Sequence, residues 1–83
     1  MVPRLVKAKY SVEYRVWLQF EDGSQGEVDL KDELWGAIFE PLQKKEFFKT
    51  VRLDPDLNTI TWDNGADFSP EFLYQLVQSQ ASC

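Results

Sequence analysis

Eighty-three residues suffice for one domain with one core, and a chain that is 43% hydrophobic, with three Trp, three Tyr and six Phe, is too aromatic to stay disordered. Nine basic against fourteen acidic residues leave a net charge of −5, which repels nucleic acid unless the cations cluster and suits docking to a basic protein. With no histidine and a single cysteine, the chain has no imidazole base, no Ser-His or Cys-His nucleophile pair, no structural zinc site and no internal disulfide.

From Arg4 to Tyr10 residues alternate, with Val6, Ala8 and Tyr10 on one side and Leu5, Lys7 and Lys9 on the other. Tyr14 to Phe20 alternates more clearly: Tyr14, Val16, Leu18 and Phe20 share one face, and Arg15, Trp17 and Gln19 share the opposite one. A period of two predicts strands with one buried face. Ser11-Val12-Glu13 joins them. Glu21-Asp22-Gly23-Ser24 predicts a hairpin, because Asp-Gly tolerates the positive φ of a tight turn. The return strand, Gln25 to Leu30, places Gly26, Val28 and Leu30 on a common face and completes a three-stranded meander.

A helix is predicted next, capped by Asp29, with Asp32 and Glu33 at its positive end. Leu30, Leu34, Ile38 and Leu42 recur every four residues with Trp35 and Phe39 beside them, which reads as a core-facing stripe. Pro41 breaks or kinks it, and Lys44 to Phe48 adds a further turn that sets Phe47 or Phe48 against the core.

Thr50 to Asp54 and Thr59 to Trp62 form a second hairpin around Pro55-Asp56-Leu57-Asn58. Val51 and Leu53 share a face, as do Ile60 and Trp62. After Asn64-Gly65, Ser69 caps a last helix with Pro70 at its first position and Glu71 in its first turn. Its apolar stripe is Phe72, Leu73, Leu76 and Val77, while the polar segment Gln78 to Cys83 is expected to fray, leaving Cys83 an unreactive thiol. The whole reads as a single α+β domain over 1–83, in the order β-β-β-α-β-β-α. About five strands form an antiparallel sheet with two helices on one face.

No apolar run approaches the ~20 residues of a membrane span. The segment Met1-Val2-Pro3-Arg4 lacks the apolar stretch of a signal peptide, so a cytoplasmic location is expected.

Gly23, Gly26, Gly36 and Gly65 match neither phosphate-loop nor dinucleotide spacing. Asp63 and Asp67 flank Asn64-Gly65, but the oxygen count and spacing of a calcium loop are missing, and an Asx-type turn accounts for them. No catalytic, cofactor-binding or metal-ligating residue is therefore assigned, and the chain is not expected to be an enzyme. Two alternatives stay open. One is a small ligand-binding or hydrolase site built on Asp63, Asp67 and Glu71. The other is a nucleic-acid-associated regulator using Arg4, Lys7 and Lys9, or Lys44, Lys45, Lys49 and Arg52. Trp17, beside Arg15 on the outer strand face, has hot-spot chemistry but could equally pack under a loop or the N-terminal strand, whereas Trp35 and Trp62 are expected in the core.

Phe20-Glu21-Asp22-Gly23, Val28-Asp29-Leu30, Phe47-Phe48 ahead of Val51-Arg52-Leu53, and the run from Ile60 to Tyr74 resemble the small bacterial domain-of-unknown-function family 2442. The resemblance covers nearly the whole chain. Its most specific part joins Trp62 to Asn64-Gly65-Ala66-Asp67 and Pro70-Glu71-Phe72-Leu73-Tyr74. It implies an α+β fold and, since members are often encoded beside another small protein, a role as the antitoxin-like partner of an adjacent gene product. Some relatives continue into a helix-turn-helix segment; this sequence stops at Cys83, so DNA binding on its own is not expected. The expected function is a small cytoplasmic protein-binding module, with Arg15, Trp17, Asn64, Asp67, Glu71 and Tyr74 as the candidate partner-binding residues. Exposed edge strands also offer a route to a homodimer.

Overall fold

In the computed structural model, which describes residues 2–81, the chain forms β1 (Leu5–Tyr10), β2 (Arg15–Phe20), β3 (Gln25–Asp29), α1 (Lys45–Phe48), β4 (Arg52–Asp54), β5 (Thr59–Thr61) and α2 (Pro70–Ala81). The fold is α+β, as the sequence predicts. Its five strands divide into two antiparallel sheets, β1-β2-β3 and β4-β5, rather than forming one. β4 lies beside β1 without joining its ladder, and α2 packs near β3.

The alternation of β2 holds: Val16, Leu18 and Phe20 are buried. Val16 stands between Tyr10 and Val28, while Trp17 stands between Lys9 and Glu27 on the outer face. β1 departs from strict alternation, because its register shifts between Leu5 and Lys7. The extra residue of this bulge leaves Val6 exposed and returns Leu5 to the buried side, so Leu5 rather than Val6 belongs to the core.

The predicted helix between β3 and α1 does not form. In its place stand two 3₁₀ turns, Lys31–Glu33 and Glu40–Gln43, with a loop between them. Gly36 has φ of +90°, which stops a right-handed helix there, and Pro41 supplies no N–H. Long-range bonds replace the helical ladder: Gln43 Nε2 donates to the Leu34 carbonyl at 2.6 Å, and the Tyr14 hydroxyl donates to the Gln43 carbonyl. Leu30, Leu34 and Leu42 still reach the core, the first two from the ends of the first 3₁₀ turn and Leu42 from within the second. Ile38 and Trp35 do not. Trp35 is 72% exposed, which corrects its expected place in the core. A Cβ added at Gly36 would meet nothing within 4 Å, so Gly36→Ala is expected to cost about 1 kcal/mol from backbone strain alone. Urea denaturation would show it, and Gly36→Asn should recover part of the loss.

Trp62 is buried as expected and organises the centre. Its ring lies 5.6 Å from that of Phe48 and 5.9 Å from that of Phe68, and Phe48 in turn meets Tyr14 at 5.4 Å. Thr59 and Thr61 are also buried, a burial of polar side chains that strand alternation does not foresee. Their hydroxyls are satisfied by the returning chain: Thr59 Oγ1 donates to the Phe68 carbonyl, and Thr61 Oγ1 to the Ala66 carbonyl at 2.9 Å. These bonds hold segment 66–68 against β5, where Thr61 also bridges Asp67.

α2 begins at Pro70 as predicted, with Leu73 and Val77 buried and Phe72 and Leu76 packed at the margin. It runs on to Ala81, past the point where fraying was expected. The expectations for Met1 and Cys83 lie outside the described residues. Among the described residues no helix is long and apolar enough to cross a membrane.

Candidate functional site

The six candidate partner-binding residues fall in separate places. Arg15 and Trp17 lie on the outer face of β2. Arg15 pairs with Glu27 at 3.5 Å and Asp29 at 3.8 Å, so its charge is already balanced within the sheet. Trp17 is half-buried.

Asn64 is committed to architecture. Its Oδ1 accepts the Ala66 N–H at 3.1 Å, and its Nδ2 donates to the Ile38 carbonyl at 2.9 Å. Gly65 follows with φ of +88°, closing the turn through its N–H to the Trp62 carbonyl at 3.0 Å. Asn64 is thus the clasp that fixes the exposed segment 35–38 to the β5–α2 connection. Asn64→Ala is expected to lower stability by about 1–2 kcal/mol. It should also broaden the amide signals of residues 35–39 in NMR spectra, and unchanged signals would deny the clasp.

Glu71 and Tyr74 border an open depression of about 690 Å³ with a mixed lining that includes Val2, Leu57, Arg4, Glu21 and Asp22. The Tyr74 hydroxyl donates to Asp22 Oδ2 at 2.8 Å, and the Tyr74 ring meets Phe20 edge-on at 5.1 Å. The Asp22 carboxyl is held below its ordinary value of 3.8, first by the Ser24 backbone N–H and then by the Tyr74 hydroxyl. Glu13 is likewise held below 4.5 by its hydrogen bond with Lys45, and then by that cation's charge. A carboxyl lowered by folding stabilises the native state fully above its ordinary value, and the contribution fades as pH falls through the lowered one. The thermal midpoint should therefore drop as pH falls below about 4.5. Tyr74→Phe, which keeps the ring, should show a shallower drop in the same melts.

Asp67 is the one candidate that borders an apolar groove. This groove, about 280 Å³, is lined by Trp35, Phe39, Phe68 and Phe72, with Glu33, Asp67 and Ser69 at its edge. Phe68 is stacked between Phe39 at 4.9 Å and Phe72 at 5.8 Å. Trp35 stands over the groove, and Ile38, 47% exposed, lies in the same loop. Sequence periodicity conceals this site, because a four-residue apolar period reads as a buried helix face. The signal that could have revealed it is the Trp35-Gly36 pair inside that period, where a helix interior disfavours glycine.

The carboxylates of the proposed hydrolase site do not meet in one cleft. Asp63 pairs with Arg52 at 2.8 Å, Asp67 borders the groove, and Glu71 borders the depression beside Tyr74. Among the basic residues, Arg52 is engaged by Asp63, and Lys45 by Glu13 at 2.5 Å. Among the described residues, no group of three or more acids or thiols is placed to hold a metal ion.

A family model described as "Protein of unknown function (DUF2442)" matches residues 5–79. No curated protein and no solved structure matches the chain.

Proposed function

The chain belongs to the DUF2442 family, and from that premise we propose that it is a small protein-binding module that works in the cytoplasm by association rather than catalysis. The observation that carries this reading is Trp35, 72% exposed above an apolar groove, in a domain whose other large aromatics are mostly spent on its core. Scattered exposed apolar residues are ordinary on a protein surface. An exposed tryptophan that continues into a cleft of stacked phenylalanines is the composition of an interaction site. The net charge of −5 favours a basic partner. The resemblance that pointed to a co-encoded neighbour makes the product of the adjacent gene the first candidate, with this domain as the antitoxin-like half.

Co-expression of the two chains, followed by affinity isolation through a tag on one of them, tests the reading. A complex that survives gel filtration at micromolar concentration is expected. Separate elution of the two chains, with no association by calorimetry at that concentration, would defeat the assignment to this partner.

A further inference from the structure

We propose that the groove beneath Trp35 receives a segment of a partner protein in which a large aliphatic or aromatic side chain lies beside an arginine or lysine. This rests on the protein-binding reading and adds the chemistry of what is bound.

The groove's size selects the kind of ligand. At about 280 Å³ it falls just under the range of roughly 300–1,000 Å³ typical of small-molecule and cofactor pockets, and it is open along one side. That space suits a side chain carried on a backbone passing outside. The floor is the stack of Phe39, Phe68 and Phe72, which offers ring faces and edges to an apolar anchor.

Charge selects the rest. The charged groups at the edge are both carboxylates, Glu33 and Asp67, and no lysine or arginine among the described residues forms an ion pair with either. A cation from outside would supply the missing partner. Trp35 sits on the same rim with its indole largely in solvent, and a guanidinium stacked on it would gain a cation–π contact within reach of these acids. A second copy of this chain is a poor occupant, since it would bring another net charge of −5 against an acidic rim.

The groove is also held in shape before anything binds. Thr59 fixes the Phe68 carbonyl, Asn64 fixes the Ile38 carbonyl, and Phe72 is carried on α2. Little ordering is left to be done on association.

The test uses the whole chain labelled with ¹⁵N and a short synthetic amphipathic peptide with a leucine face flanked by arginines. The three tryptophans give three indole N–H signals. Titration is expected to move the Trp35 signal and leave that of buried Trp62 in place. Replacing the arginines by glutamates, or the leucines by serines, should weaken binding at least tenfold, and added salt should weaken the parent peptide. Trp35→Ala, at an exposed position that the fold does not need, should lose at least tenfold while melting like the parent. Glu33→Gln with Asp67→Asn should erase the preference for arginine over glutamate and keep the contribution of leucine.

Failure of the peptide to move Trp35 at millimolar concentration overturns the proposal, as does equal binding of the glutamate version or movement confined to Trp17. If the adjacent gene product binds with an affinity indifferent to Trp35→Ala, the binding-module reading stands and this groove is the wrong site. If neither the neighbour nor the peptide binds, both fall.

Discussion

Trp62→Ala is expected to cost about 3–5 kcal/mol of stability. A domain of this size holds only about 4–12 kcal/mol in total, at roughly 0.05–0.15 kcal/mol per residue. The substitution therefore brings the protein to the edge of unfolding. Two losses combine. The indole, 1% exposed, fills the space between Phe48 and Phe68, and these two rings, carried on separate segments, cannot collapse into the void together. Its Nε1 also donates to the Phe48 carbonyl at 3.0 Å, and without it that carbonyl is left with the longer bond from the Val51 N–H at 3.2 Å. Trp62→Phe separates the terms: it keeps much of the ring and removes the donor, and it should cost about 1–3 kcal/mol. Urea unfolding followed by far-ultraviolet circular dichroism measures both without relying on the altered fluorophore. A Trp62→Ala variant within about 1 kcal/mol of the parent would contradict the central role given to this residue.

Thr59→Val is the second large effect, about 1–3 kcal/mol. Valine matches threonine in shape, so packing is retained and the loss reports the hydrogen bond to the Phe68 carbonyl. Thr59→Ser, which keeps the hydroxyl and gives up a methyl group, should cost less. The position matters beyond stability, because Phe68 is the middle ring of the groove and Thr59 holds its backbone. Thr59→Val should thus perturb the Trp35 indole signal from a distance, whereas a stability loss confined to the interior would leave that signal alone. Val replacing Thr with no measurable change in either would mean that the Phe68 carbonyl finds another donor.

Both effects originate in residues whose importance is unevenly visible along the chain. Trp62 is a large aromatic at the end of a predicted strand and an obvious core candidate. Thr59 looks like an ordinary strand residue, and its burial follows only from the way segment 66–68 folds back over β5. The same contrast separates Asp67 from Trp35 within one groove. Asp67 is marked by a turn-rich, recognisable run, and Trp35 is hidden in an apolar period that imitates a helix.

What could be inferred residue by residue was whatever local chemistry settles. Alternation decided the buried face of β2, Asp-Gly decided its hairpin, and Ser69-Pro70 decided where α2 starts, since each depends on neighbours a few bonds away. The family membership follows equally from the order of residues. Grouping of strands into sheets, the exposure of Trp35 and the meeting of Phe39, Phe68 and Phe72 depended instead on contacts between segments far apart in the chain. Leu30, Leu34 and Leu42 share a core without sharing a helix, because Gly36 and Pro41 interrupt the backbone while bonds from Tyr14, Gln43 and Asn64 hold the pieces. Periodicity records which residues avoid water, and only the folded chain decides which way the remainder face.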